Sequence, residues 1–373
     1  MLINELPDDC LLAIFGYINS LNDLTNCYKV CNKWSYLIAE RTKKVKYLME
    51  TRGYSLDCVY FQGRGQIDVS CLSKLFTNLM IVELNNSYYV GSEEFVAFVR
   101  NQASLKGLIL TIDKPVEKYR DQLEMVSFTY IRPNFRLNGS SIKQLHTWHY
   151  LDFKRYTHYF PNLEKLNIIV DDSYYDGPAL EKLKILEIFP LSLLKDSCYA
   201  FQFMDSCPNL QSAHMTVHTN DFFVDETLKH KCLRDLVIIF SADQTNWNNL
   251  KRLLMKYPNL KHLALRTNQD MKDEHIEELV RILPNLVLLD VRGCNGVTQS
   301  AFNHVQDYCK RYGRSTKFYF NGNQNAIESD WPHLSSKEEK ISRGFDFMKH
   351  CFLKKYQQLP CFLIPDDYWN PHT

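Results

Sequence analysis

The clearest pattern along the chain is an apolar triplet of the form L-x-x-L-x-L, which recurs from residue 56 to residue 291. The triplets are Leu56/Val59/Phe61, Leu79/Val82/Leu84, Leu105/Leu108/Leu110, Leu123/Val126/Phe128, Ile142/Leu145/Thr147, Leu163/Leu166/Ile168, Leu183/Leu186/Ile188, Leu210/Ala213/Met215, Leu233/Leu236/Ile238, Leu260/Leu263/Leu265 and Leu286/Leu289/Val291. Successive triplets begin 18 to 27 residues apart, close to the period of repeats that contain one strand and one helix or turn. One such unit cannot bury its apolar face alone. The pattern therefore predicts a stack of parallel strands on a curved sheet, with a weak last strand at 317–320.

Amphipathic segments follow several of these triplets. Residues 246–257 and 272–283 place apolar side chains at i, i+3, i+4 and i+7, which predicts helices. Asp273 is a candidate N-cap for the second segment. Thr298 is the candidate N-cap of a further helix that Gly313 ends. Strands that alternate with helices predict an α/β fold, with strands on the concave face and helices on the convex face.

The unit that begins at Leu286 continues through Gly293 and Cys294 to Thr298 and resembles the cysteine-containing class of leucine-rich repeat. This resemblance implies that Cys294 lies in a buried turn and is not reactive. The other units lack this cysteine, and repeat boundaries between about residues 122 and 177 stay open.

Residues 1–48 have a different pattern, that of three short helices. Pro7 precedes the first helix, and Asp8 and Asp9 lie in its first turn, where acidic residues favour the positive end of the helix. A break at Asn19 and Ser20 separates it from the second helix. So few residues cannot bury all their large apolar side chains among themselves. The excess predicts a partner protein that completes the core.

This stretch resembles the F-box over about residues 2–48. The resemblance implies docking onto the Skp-family adaptor, and through it onto the cullin scaffold, of a ubiquitin ligase. The residues predicted to bind the adaptor are Leu6, Pro7, Leu11, Ile14, Phe15, Ile18, Leu21, Leu24, Val30, Cys31 and Trp34. The alternative is an ordinary helical cap on the repeats.

A second candidate surface lies on the predicted sheet. Alternate strand residues face opposite sides, so the positions between the apolar ones should line the open face and bind a protein substrate. These candidates are His146, Trp148, Lys165, Glu187, Phe189, His214, His262, Arg266, Asp290 and Arg292. Aromatic and arginine residues often dominate interfaces, although any soluble repeat exposes polar strand positions.

Two pairs on this face have sharper alternatives. Arg266 and Arg292 share one repeat offset and should be neighbours, which favours an acidic or phosphorylated ligand. Asp290 beside them is the alternative, intramolecular partner. His214 and His262 could form a pH-sensitive pair only if they approached each other, and solvation is the simpler expectation.

Composition adds mainly exclusions. The chain has 44 Lys and Arg against 43 Asp and Glu, a balance that predicts no binding to nucleic acid or a membrane surface. Its 12 cysteines include no CxxC pair and no zinc spacing. With no secretory signal in view, they are expected to be reduced thiols of a cytoplasmic or nuclear protein. No metal or other cofactor is predicted.

The last segment, 321–373, is predicted to be a polar linker, an amphipathic helix that a capping box at Ser336 begins, and an aromatic end. It either caps the last repeat or crosses the concave face and shapes the substrate pocket.

The predicted domains are thus an F-box at 1–48, leucine-rich repeats at 49–320 and the tail at 321–373. The predicted function is a non-catalytic, substrate-recognition subunit of a cullin-based ubiquitin ligase. A non-degradative interaction scaffold is the alternative. An intrinsic enzyme comes third, because His146, His149 and Asp152 make only a weak metal pattern.

Overall fold

The computed structural model describes residues 3–49, 56–61, 69–83, 97–110, 123–128, 131, 139–170, 173–190, 198–219, 222–241 and 246–323. The chain divides into two compact units, whose described parts are residues 3–145 (unit 1) and 146–323 (unit 2). The predictions for the tail beyond residue 323 lie outside the described residues.

Unit 1 begins with three helices, α1 (Asp8–Gly16), α2 (Leu21–Tyr28) and α3 (Asn32–Thr42). Pro7 is the N-cap residue of α1, as its fixed φ allows. The Ser20 hydroxyl caps α2 by accepting a hydrogen bond from the backbone N–H of Asp23 at 3.4 Å. The predicted break at residues 19 and 20 therefore separates the first two helices.

The helices lead directly into parallel strands. Unit 1 contains β1 (Tyr47–Met49), β2 (Cys58–Tyr60), β3 (Ile81–Glu83), β4 (Gly107–Leu110) and β5 (Met125–Phe128), with helix α4 (Val69–Leu75) after β2. β1 lies between β2 and β3, since Tyr47 aligns with Cys58 on one side and Ile81 on the other.

The triplet pattern did not predict β1. Val45 and Leu48 match the first two apolar positions of a triplet, but the third apolar position is missing. The strand runs across the domain boundary predicted after residue 48, and that boundary stays a prediction.

The strands that follow begin with β6 (Gln144–Thr147), within which the two units divide. Unit 2 then contains β7 (Lys165–Val170), β8 (Ile185–Pro190), β9 (Ser212–Val217), β10 (Asp235–Phe240), β11 (His262–Arg266), β12 (Leu288–Asp290) and β13 (Lys317–Tyr319). Its helices are α5 (Tyr150–Tyr156), α6 (Ala200–Asp205), α7 (Trp247–Leu254), α8 (Asp273–Ile282) and α9 (Gln299–Tyr312). Each predicted triplet coincides with a strand, which confirms the repeated α/β fold.

Equivalent triplet residues lie side by side in unit 2. From β7 to β13 the register aligns Leu166, Leu186, Ala213, Leu236, Leu263, Leu289 and Phe318. All of them are buried. Stacked repeats thus bury one continuous apolar row that no single repeat could bury alone.

Two of the three helix-end residues predicted in unit 2 are confirmed. Thr298 caps α9, and Gly313 ends α9 in the left-handed conformation with φ 65°. Asn246, for which no capping role was predicted, caps α7. Asp273 is not the N-cap of α8, because Lys272 holds that position. The Asp273 carboxylate instead accepts hydrogen bonds from the backbone N–H of Thr298 at 2.7 Å and its hydroxyl at 2.6 Å, which tie two repeats together.

Cys294 lies in a buried turn, as predicted. Its thiol donates a hydrogen bond to the carbonyl oxygen of Leu265 at 3.1 Å, and burial raises its pKa to about 12. A thiol that stays protonated is a poor nucleophile.

Among the described residues, no helix combines the length and apolar character needed to cross a membrane.

Candidate functional site

The predicted adaptor-binding residues fall into two groups in unit 1. Leu11, Phe15, Leu21 and Leu24 are buried, with at most 3% of their surface exposed. Phe15 also packs edge-to-face on Trp34, with ring centroids 5.0 Å apart. These four side chains form the core of the helical module and present no surface to a partner.

The remaining members of the set reach the surface. Ile14 is 42% exposed and Val30 is 56% exposed. Pro7 is also exposed, and Leu6, Ile18, Cys31 and Trp34 are half-buried. The helical period places Pro7, Ile14 and Ile18 on one side of the α1 region. The helices therefore leave large apolar side chains uncovered, as their small size requires.

Sequence reasoning missed several residues of this module. Ile3, Tyr17 and Tyr36 are also exposed, and Arg41 is almost completely buried. The Arg41 guanidinium donates hydrogen bonds to the carbonyl oxygens of Phe15 and Gly16, both at 3.3 Å, and to the Asn19 side chain at 3.2 Å.

Because the last carbonyls of a helix lack intrahelical partners, Arg41 stabilises the end of α1. Burial lowers the pKa of Arg41, although nearby Asp57 opposes that shift. The one sequence feature that could have indicated this role is the position of an arginine near the end of the third helix.

Backbone contacts connect the helices with the first strands. The backbone N–H of Tyr60 in β2 donates to the carbonyl oxygen of Asn19 at 2.8 Å. The N–H of Lys46 donates to the carbonyl oxygen of Asp57, also at 2.8 Å. The main-chain hydrogen bond between Tyr60 and Asn19 thus joins the module to β2 in addition to the connecting segment.

In unit 2, a hydrogen-bonded chain connects side chains of three successive repeats. The indole N–H of Trp148 donates to Nε2 of His146 at 2.7 Å, and Nδ1 of His146 lies 2.9 Å from the Asn167 side-chain oxygen. The Asn167 amide in turn donates to the Glu187 carboxyl group. We call His146, Asn167 and Glu187 the polar row.

The protonation state of His146 follows from its surroundings. Burial lowers its pKa to about 4, although the hydrogen bond to Asn167 acts in the opposite direction. The ring is therefore neutral near pH 7. Since Nε2 accepts from Trp148, the single proton lies on Nδ1 and is donated to Asn167.

The prediction that the sheet candidates are exposed is wrong for most of them. The buried members are His146, Glu187, Phe189, His214, Arg266 and Asp290. Trp148 is 52% exposed, whereas Lys165, His262 and Arg292 are half-buried. Equivalent positions on neighbouring parallel strands lie only about 4.8 Å apart, so polar side chains can pair along the sheet instead of facing water.

Arg266 and Arg292 meet at one carboxylate, and the intramolecular alternative is confirmed. Nε of Arg266 lies 2.8 Å from Asp290, and Nε and Nη2 of Arg292 both lie 2.9 Å from it. Burial alone would raise the pKa of Asp290, but the two guanidinium groups hold it below its usual value. This pairing removes the reason to expect an acidic or phosphorylated ligand here.

His214 and His262 do not form a pair. His214 is fully buried in β9, so the expectation that it is solvated is wrong. His262 aligns with Asp235, whose carboxylate lies 2.6 Å from Nδ1 of His262. Asp235 also accepts a hydrogen bond from the Ser212 hydroxyl at 2.5 Å. These contacts are internal to the sheet.

Comparison with known proteins gives one family match. Residues 3–42 match the family model described as F-box-like. No curated protein sequence matches the chain.

Three solved structures match the chain at low similarity. The complex of Rad7 and Elc1 from yeast is 13% identical, covers 84% of this chain and 81% of that chain, and has a TM-score of 0.41. The TLR13–ssRNA13 complex is 14% identical, with a TM-score of 0.39, and the match covers 74% of this chain but only 36% of that one. An LRR protein of Leptospira interrogans is 11% identical, covers 84% of this chain and 98% of that chain, and has a TM-score of 0.28. These similarities say nothing about function.

The helical module, the family match over it and the strand-per-triplet fold agree with one another. Residues 3–42 therefore form an F-box-like helical module, and the strands that follow it repeat with the apolar triplet.

Proposed function

We propose that this chain is a substrate-recognition subunit of a cullin-based ubiquitin ligase. Its three-helix module would bind a Skp-family adaptor, and its repeats would hold a protein substrate for ubiquitination. The observation that carries the proposal is the F-box-like match over residues 3–42. The exposed apolar side chains of Ile14 and Val30 in that module support it.

The physical role needs no catalytic residue in this chain. A receptor that binds both an adaptor and a substrate raises the effective concentration of the substrate near a conjugating enzyme. Burial of exposed apolar surface would supply the adaptor affinity, at roughly 25 cal/mol for each Å² removed from water. The direct hydrogen bond between the module and β2 would help to keep the first strands of unit 1 in a defined orientation.

The test is co-purification of the full chain with a Skp-family adaptor and a cullin. The variant Ile14→Ser/Val30→Ser should lose the adaptor, because it replaces exposed apolar surface without touching the core. Val287→Ser is the matched control, since Val287 is a similarly exposed valine, at 45%, in unit 2. It should bind as well as the wild type.

Two outcomes would contradict the proposal in different ways. If the wild type recovers neither protein, the ligase function is wrong. Adaptor binding without loss of any substrate in cells would favour the non-degradative scaffold.

A further inference from the structure

Three aromatic rings meet at the surface of unit 2. None of them belongs to the predicted site residues. Tyr174, Tyr199 and Phe223 form what we call the aromatic triad. Its ring centroids are 6.0 Å (Tyr174–Tyr199), 6.1 Å (Tyr174–Phe223) and 6.2 Å (Tyr199–Phe223) apart. Tyr174 is 50% exposed and Phe223 is 45% exposed. An exposed cluster of this kind is typical of a binding surface.

The triad is assembled from three successive repeats. Tyr174 follows β7, Tyr199 is the residue before α6, and Phe223 follows β9. Tyr174 and Phe223, the two most exposed rings, each have a sequence neighbour whose ring lies in the core. Tyr175 packs on Phe203 with centroids 4.7 Å apart, and Phe222 is buried. Two of the three segments therefore place one ring in the core and the adjacent ring at the surface.

Hydrogen bonds hold these segments in place. The backbone N–H of Phe223 donates to the carbonyl oxygen of Cys198, the residue before Tyr199, at 3.4 Å. The Gln202 side-chain amide accepts from the backbone N–H of Tyr175 and donates to its carbonyl oxygen, both at 2.8 Å. The Lys154 ammonium donates to the carbonyl oxygen of Tyr174 at 2.9 Å. The rings are thus pre-organised, which lowers the entropy lost when a partner binds.

The sequence around two of the three rings is acidic. No Lys or Arg occurs within four residues of Tyr174 or Phe223, and the same windows contain Asp176 and Asp225, whereas Lys195 lies four residues before Tyr199. The Asp176 side chain is 67% exposed and forms an ion pair with Lys154 at 2.7 Å. Hydrogen bonds from Thr227 lower the pKa of Asp225, so that carboxylate stays charged.

We propose that the aromatic triad is a docking site for a lysine or arginine side chain from a basic segment of a partner protein. Cations bind the negative face of aromatic rings within about 6 Å of the centroid. The carboxylate of Asp225 adds attraction for the same charge, whereas that of Asp176 already pairs with Lys154. A purely apolar partner would gain nothing from the Asp225 carboxylate and would have to desolvate it. The proposal concerns unit 2 alone and does not depend on adaptor binding.

The test uses the full chain without any adaptor, so its failure is separate from failure of the proposed function. Fluorescence anisotropy would measure binding of a short glycine-serine peptide that carries arginines. The same peptide with citrulline, which has the shape of arginine without its charge, is the matched probe. The arginine peptide should bind at least tenfold more tightly.

Variants then locate the site. Tyr174→Ser should weaken binding of the arginine peptide about tenfold, since a cation–π contact contributes on the order of 0.5–2 kcal/mol. Tyr174→Phe should retain it. Tyr312→Ser is the control, because Tyr312 is a similarly exposed tyrosine, at 60%, on α9. Circular dichroism would verify that each variant is folded.

Three results would overturn the proposal: equal affinity for the arginine and citrulline peptides, unchanged binding by Tyr174→Ser/Phe223→Ser, or an equal loss in Tyr312→Ser. Tighter binding of the citrulline peptide would point to an uncharged partner and would also reject the proposal.

Discussion

The helical module of unit 1 and the polar row of unit 2 depart from the usual separation of apolar and polar residues in opposite ways. In the module, large apolar side chains such as Ile14 and Val30 are exposed. In the polar row, hydrogen-bonding side chains such as His146 and Glu187 are buried. Both arrangements carry an energetic cost in isolation, and they compensate for it differently.

Exposed apolar surface is stabilised when another molecule covers it, which is the role of the adaptor in the proposed function. Buried polar groups can satisfy one another, and several of those in unit 2 do so through His146, Asn167 and Glu187 and through Asp290 with its two arginines. An unusual residue is therefore a sign of a binding site only if its compensation is absent from the chain itself.

The largest expected effect tests whether buried polar groups in unit 2 depend on one another. Asp290→Asn should lower the free energy of unfolding by about 3–5 kcal/mol, because Arg266 and Arg292 lose a shared, buried counter-charge. Urea unfolding followed by circular dichroism would measure the loss.

Glu124→Gln is the control for Asp290→Asn. Glu124 also lies between two cations, Lys106 at 3.2 Å and Lys143 at 3.1 Å, but both lysines are about half exposed. Its loss should be below about 1 kcal/mol. Similar losses in the two variants would contradict the role of burial.

The next prediction separates the core of the module from its surface. Leu11→Ala should lower the free energy of unfolding of unit 1 by about 2–5 kcal/mol, because Leu11 is fully buried. Ile14→Ser, three residues along the same helix, should change it by only about 0.5 kcal/mol. Thermal unfolding with limited proteolysis would measure both. A large loss for Ile14→Ser would mean that this side chain belongs to the core.

The smallest expected effect is a pH dependence that arises in the polar row. His146 has a folded-state pKa of about 4 and an ordinary value of 6.5. Between these values the unfolded chain binds a proton that the folded chain does not. Stability is therefore full above pH 6.5 and falls toward pH 4, by at most about 3 kcal/mol.

His146→Gln should flatten this part of the stability–pH curve, as measured by urea unfolding at several pH values. His158→Gln, which changes an exposed histidine of unit 2, should leave the curve as in the wild type. An unchanged curve in His146→Gln would show that another group is responsible.

The sequence predicted the strands well, because the triplet reports burial directly. Leu236 and Leu263 are apolar since they lie in the same buried row, and each is visible in its own repeat. β1 was not predicted, because Val45, which precedes it, and Leu48 within it match only two positions of a triplet. The aromatic triad also escaped, since Tyr174, Tyr199 and Phe223 lie at unequal distances after their strands.

What the sequence by itself determined is the order and type of elements: an F-box-like helical module followed by strands that recur with the triplet. Local spacing carries this information, because helix and strand periods are set within a few residues. Only the tertiary structure decided which polar residues are buried and which aromatic rings meet. Those facts depend on how strands stack across more than twenty residues of chain, as where Arg266 meets Asp290. Spacing along the chain predicted that these repeats are neighbours, but it did not reveal how their side chains divide between the interior and the surface.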